Sequence, residues 1–159
     1  MAERKRKTWR EKLAADAGLP RVQIISEKMS RKWGIGTMVI PAPREVDEIM
    51  RSVPEGRLIT VGEIRQILAK KHGATIGCPL TTGIFAWIAA HAANEEAVEG
   101  GMGITAYWRT LKTGGELNPK YPGGIERQKL LLEAEGHTVL QKGRKHLVDN
   151  YRAVLVRAS

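Results

Sequence analysis

From residue 43 onward, the hydrophobic positions fall into short helical periods separated by strong breakers. Val46, Ile49, Met50 and Val53 stand at i, i+3, i+4 and i+7, one apolar helical face, with Pro43 suited to the first turn. Pro54 and Gly56 end that helix. Thr60-Val61-Gly62-Glu63 then reads as a capping box, in which threonine and glutamate each serve an orphan amide at a helix start. Ile64, Ile67 and Leu68 give this second helix its buried face, and Gly73 is its natural stop. A third helix is predicted from Thr81 or Thr82, through Phe85, Trp87, Ile88 and Ala92, to about Ala93. Asn94 to Gly103 is acidic and then glycine-rich, and reads as a loop. Lys112 to Gly124 is turn-rich. A fourth helix, Ile125 to Ala134, closes on Gly136. Thr138 to Val148 has the pattern of a hairpin with Lys142-Gly143 near its turn, and a short helix is expected from Asp149.

Before residue 43 the pattern is irregular. Pro20, Gly34, Gly36, Pro41 and Pro43 break any long helix, while Val22, Ile24 and Ile25, then Met38, Val39 and Ile40, suit short strands or extended strips. Residues 1–12 hold six basic and two acidic side chains, the composition of a solvated tail that adds attraction to a phosphate backbone. Three short helices with tight turns, followed by strand-like pieces, have the order of a winged helix-turn-helix, whose third helix enters a groove. Periodicity alone specifies only a helical cluster. The fold class expected is α/β, mainly α, with a short β-hairpin and a basic N-terminal extension.

Charge adds a partner. Twenty-six Lys and Arg against seventeen Asp and Glu give +9 and a pI near 9.9, a balance that favours a polyanion. The chain of 159 residues suffices for one core and is expected to be a monomer. No apolar run approaches the ~18 residues of a membrane span, and the basic N-terminus lacks the apolar stretch of a signal peptide. No membrane association and a cytoplasmic location are therefore expected.

The candidate chemistry is sparse. The single cysteine, Cys78, excludes an internal disulfide and a cysteine-built zinc site. It stands just ahead of the third helix, where a helix N-terminus lowers a thiol pKa, yet no histidine is near it in sequence; a small buried residue is the simpler reading. The four histidines share no metal-ligand spacing, so no metal is expected. Gly114-Gly115 and Gly123-Gly124 match no nucleotide-binding fingerprint, and no cofactor is expected.

The most informative stretch is Thr105-Ala106-Tyr107-Trp108-Arg109, then Tyr121-Pro122-Gly123-Gly124-Ile125, then Leu131-Leu132-Glu133-Ala134-Glu135-Gly136. In order and spacing it resembles the active-site half of the O6-alkylguanine-DNA alkyltransferase domain, with its Pro-Cys-His-Arg, Tyr-x-Gly-Gly-Leu and Leu-Leu-x-x-Glu-Gly motifs. Val53-Pro54-Glu55-Gly56-Arg57 is similar to that family's Ile-Pro-x-Gly turn. The resemblance spans roughly Glu45 to His137. It implies an alkyltransferase-like winged-helix domain over 43–137; the residue pattern adds a basic N-terminal extension over 1–42 and a C-terminal hairpin with a short helix over 138–159. The resemblance also implies a base pocket framed by Tyr107, Trp108, Arg109, Tyr121, Gly123, Gly124 and Glu135. DNA contacts are implied from Thr60, Val61, Thr81 and Thr82, with Lys142, Arg144 and Lys145 of the basic C-terminal segment beside them.

The departures from the motif bear on chemistry. Tyr107 stands at the acceptor cysteine and Trp108 at the activating histidine, leaving Arg109 and Glu135. An unperturbed phenol titrates near 10 and is a harder, poorer nucleophile toward an alkyl carbon than a thiolate. The helix-turn-helix tyrosine aligns with Val61, and the arginine that fills the gap of a flipped base falls near Thr82. A non-enzymatic branch, the alkyltransferase-like proteins, also lacks the cysteine, and this chain is similar in that respect. The expectation is a non-catalytic protein that binds duplex DNA and recognises alkylated or modified bases. The alternatives are an active alkyltransferase with its nucleophile relocated to Cys78 or Tyr107, and an RNA-binding module.

Overall fold

The computed structural model describes residues 6–157, so the first part of the basic N-terminal segment lies outside the described residues. The architecture is mixed α/β and mainly helical, as the sequence pattern predicts. Its centre is three helices, α3 (Pro43–Arg51), α4 (Val61–His72) and α5 (Pro79–Val98). Val46, Met50, Val53, Ile64 and Leu68 are buried between them against Ala86, Ala89, Ala90 and Ala93. The alanine face lets α5 approach its neighbours closely, and each buried apolar side chain contributes about 1.5–3 kcal/mol when large.

Local chemistry fixes the helix ends. Thr60 caps α4 by accepting the Glu63 amide at 3.4 Å, and its hydroxyl donates to the Glu63 carboxylate, so the glutamate returns to the hydroxyl of the capping residue. Gly73 ends α4 in the left-handed region at φ 64°. The Glu45 carboxylate accepts the Ala42 amide at 3.0 Å and pairs with Lys71 at 2.8 Å and His72 at 2.7 Å, joining the start of α3 to the end of α4.

The third predicted helix is longer at both ends. It starts at Pro79 and runs on through Asn94 to Val98, where a loop is expected from sequence. The extension has a partner: α1 (Trp9–Ala14) packs along it, with the Trp9 and Arg10 amides donating to Glu95 and the Arg10 side chain pairing with Glu95 and Glu99. Residues 9–12, read from sequence as part of a solvated tail, thus belong to a docked helix. Trp9 stacks on His91 at 4.5 Å and meets Trp87 edge-on at 4.8 Å.

Between α1 and α3 the expected strands form, β1 (Arg21–Ile24) and β2 (Thr37–Ile40), separated by α2 (Glu27–Trp33), which the broken pattern does not predict. Ser26 caps α2 by accepting the Met29 amide. β1 lies antiparallel to β2, and β2 pairs in parallel with β4 (Ile76–Gly77), a two-residue strand in the connection from α4 to α5. Gly77 permits this approach: a Cβ there would lie 2.6 Å from the Arg65 carbonyl oxygen.

β3 (Ile59–Thr60) pairs in parallel with β5 (Thr110–Leu111), which follows a 3-10 turn at Tyr107–Arg109. α6 (Gly124–Ala134) then packs beside that turn. The C-terminal hairpin forms as predicted, β6 (Val139–Lys142) against β7 (Lys145–Val148), and a 3-10 turn covers Tyr151–Val154. No helix among the described residues is long and apolar enough to cross a membrane.

Candidate nucleic-acid interface

A cleft of about 570 Å³ opens between the N-terminal half of α5, the start of α4 and the Lys112–Tyr121 loop. That size is in the range of small-molecule sites. Leu80, Ile84 and Trp87 give it an apolar wall, and Lys112 and Lys120 supply positive charge. Val61 and Tyr121 also line it, the only two of the sequence-predicted site residues that do so. Leu80 is 70% exposed and Ile84 40%, so the wall continues onto the outer face of α5.

The loop side of the cleft is held by α5 and α6. The Trp87 indole donates to the Lys120 carbonyl at 3.1 Å, and His91 Nε2 meets the same oxygen at 2.8 Å. A carbonyl can only accept, so that contact places the proton of neutral His91 on Nε2. Gln128, fully buried on α6, accepts the Asn118 amide at 2.9 Å and donates to the carbonyls of Trp108 and Thr110. Sequence reading missed Gln128. Its signal is a polar residue between Ile125 and Leu132 on the helix's inward face, at i+3 and i−4 from them.

The residues expected to frame a base pocket come together, but as a packed layer behind the cleft. Tyr107 is 2% exposed; its ring meets Trp108 and Tyr121 edge-on, and its hydroxyl reaches the Pro122 carbonyl at 3.5 Å. Trp108 and Arg109 converge on Glu135, whose carboxylate accepts the Trp108 indole at 2.6 Å, Arg109 Nε at 3.0 Å and the Gly56 amide at 3.0 Å. Arg109 also donates to the Val53 carbonyl at 2.8 Å. Burial pushes the Glu135 carboxyl up, but these donors more than offset it and hold it below the usual range. Burial pushes the Tyr121 hydroxyl well above the ordinary phenol range, against an opposing hydrogen bond with Asn118. Gly123 and Gly124 both have positive φ, 77° and 69°, and turn the chain from Tyr121-Pro122 into α6.

The start of α5 and the setting of Thr81 and Thr82 differ from the sequence expectation. α5 does not begin at Thr81 or Thr82; Cys78 stands at its N-cap and Pro79 opens the first turn. Thr82 is fully buried, and its hydroxyl finds no hydrogen-bond partner. The Thr81 hydroxyl is likewise buried and unpartnered. Helical geometry turns these residues inward because Leu80, Gly83 and Ile84 occupy the cleft face. Thr60 is also buried, engaged as the α4 cap. Lys142, Arg144 and Lys145 are exposed on the hairpin. Cys78 is buried against Ile25 and Met38, in a packing position.

Comparison with solved structures shows what this arrangement resembles. The chain superposes on S. pombe Atl1 in complex with damaged DNA containing O6-carboxymethylguanine, with a TM-score of 0.52 at 20% identity, covering 73% of this chain and 94% of that one. A structure of S. pombe ATL in complex with DNA gives a TM-score of 0.53 at 20% identity over the same shares. The likeness establishes a shared fold. No protein-family model matches the chain, and no curated protein matches it.

Proposed function

We propose that this protein binds duplex DNA without reacting with it and accommodates an extruded, modified base in the cleft beside α5. The observation that carries this reading is the cleft itself, an apolar wall on α5 facing lysines of the Lys112–Tyr121 loop. Such a cleft offers stacking and van der Waals contact to a base and positive charge to its phosphates. The exposed Leu80 and Ile84 suit insertion beside an unstacked step, the apolar wedge that DNA-bending proteins use. The net charge of +9, the exposed hairpin cations and the likeness of fold to a protein solved with damaged DNA support the same partner.

The residue types support the non-reacting part of this reading. Tyr107, at the position that the motif resemblance gives to the acceptor, is buried and packed between two aromatic rings. Cys78 is buried in a separate cluster with Ile25 and Met38. Neither presents a nucleophile to the cleft.

The test is binding of duplexes with and without O6-methylguanine, with intact-mass measurement afterwards and a structured RNA as competitor. Tighter binding to the modified duplex at unchanged protein mass is expected. A gain of one methyl mass overturns the non-catalytic reading, and preference for the RNA overturns the assignment to DNA. Wild-type affinity should also fall with salt at a log–log slope of roughly −4 to −5, the value for about five neutralised phosphates.

A further inference from the structure

α2 is a short helix with two chemically opposite faces. Met29 and Trp33 turn inward: Met29 packs against the Ile25–Met38–Cys78 cluster, and the Trp33 ring carries the Arg65 guanidinium at 4.8 Å. Lys28, Arg31 and Lys32, at i, i+3 and i+4, share the other face and are all exposed. Among the described residues six Lys and Arg are held by carboxylates: Arg10, Arg44, Arg51, Lys71, Arg109 and Lys112. Among the described residues, none of the three cations on α2 is in an ion pair. Lys32 Nζ lies 5.1 Å from the Trp33 ring, so the basic face continues through that ring to Arg65 on α4.

This face is fixed to the groove helix. Arg65 Nε donates to the Gly77 carbonyl at 2.9 Å, one residue before the Cys78 cap of α5. β2 pairs with β4 in the same connection, and Thr37 and Thr75 exchange further hydrogen bonds. The turn between α4 and α5 is therefore a strand of the sheet that carries α2. The charged surface is thereby joined, through β2, β4 and Arg65, to the start of α5.

We propose that Lys28, Arg31 and Lys32 form a second phosphate-contact surface, which engages the backbone of the same duplex beside the segment met by α5. This rests on the DNA-binding reading above and adds to it a footprint on the flanking duplex. The seven residues of α2 span about 10 Å, enough to serve two or three phosphates along a strand. Contacts of this kind position the protein and carry no base information.

The test is the salt dependence of duplex binding by the full chain and by K28Q/R31Q/K32Q. Glutamine has helix propensity close to that of lysine and arginine, and the three side chains are exposed, so the fold is kept; an unchanged melting temperature checks this. The expected result is a log–log slope shallower by about 2–3, with the preference between modified and plain duplex unchanged. The charge-conserving variant K28R/R31K/K32R is expected to restore the wild-type slope. A wild-type slope in the glutamine variant overturns this inference and leaves the DNA reading standing. Failure of the wild-type protein to bind duplex at low salt overturns both. If the glutamine variant instead loses only binding to phosphatidylserine vesicles, the surface is a membrane contact and the inference falls.

Discussion

Arg109 and Glu135 form a nearly buried ion pair, Nε to Oε1 at 3.0 Å, and each uses its remaining capacity to hold another element. Arg109 reaches the Val53 carbonyl at the end of α3, while Glu135 takes the Gly56 amide and the Trp108 indole. The pair ties the 3-10 turn, the α3–β3 connection and the end of α6 into one unit.

Removing one partner leaves the other charge buried and uncompensated. Arg109→Ala is expected to cost about 3–5 kcal/mol, read from chemical denaturation. The same pair predicts an acid limb. The folded Glu135 carboxyl titrates below its unfolded value, so its stabilisation is fully present above about pH 4.3 and is lost as the pH falls through the folded value. In Glu135→Gln the stability below about pH 4.3 should depend less on pH than in wild type. An identical acid limb in both proteins would assign it to other carboxylates, Glu45 first among them, since its carboxyl is also held low despite burial.

Tyr107 tests whether its buried position is held by ring packing or by its hydroxyl. Its ring is closed in by Trp108 and Tyr121, and its hydroxyl makes only a 3.5 Å contact with Pro122. Tyr107→Phe should therefore change stability by less than about 1 kcal/mol, whereas Tyr107→Ala should cost about 3–5 kcal/mol through the cavity it opens. Thermal melts of the two variants decide between packing and polar anchoring. A large loss in the phenylalanine variant would mean that the hydroxyl contact matters more than its length implies.

Elements governed by neighbours in sequence are legible in the chain; elements governed by distant partners are not. The face of α3, the Thr60 cap and Gly73 stop of α4, and the β6–β7 hairpin follow from local periodicity and turn chemistry. The far end of α5 does not, because Glu95 and Glu99 resemble loop residues until Trp9 and Arg10 dock on them. β4 is two residues long and exists only because β2 lies beside it. At the candidate site, the motif resemblance finds Arg109 and its partner Glu135. The cleft escapes it because Leu80, Gly83, Lys112 and Lys120 face one another from separate segments.

Thr82 provides a test of the inward turn of α5. Its hydroxyl is fully buried with no partner, which carries the desolvation penalty of a polar group and no compensating bond. Thr82→Val is expected to stabilise the protein by about 1 kcal/mol. Duplex affinity should stay the same, measured by anisotropy at fixed salt. A drop in affinity at kept stability would return Thr82 to the DNA-contacting set.

Gly83 allows the cleft to be blocked without disturbing the core. It lies within α5, lines the cleft, and a Cβ built there meets no heavy atom within 4 Å. Its backbone lies outside the positive-φ region, so a side chain meets no conformational strain. Gly83→Leu should keep or raise stability, by up to about 1 kcal/mol from helix propensity, while the new side chain fills the space a base would enter. Affinity for the O6-methylguanine duplex is then expected to fall toward that for the plain duplex, with the salt slope of the plain duplex unchanged. Equal affinity of wild type and variant for the modified duplex would place base recognition elsewhere, even if the backbone contacts stand. A parallel loss for both duplexes would instead mark Gly83 as part of the general groove contact. The comparison separates the cleft from the charged surface, because only the cleft offers a modified base something that a phosphate cannot use.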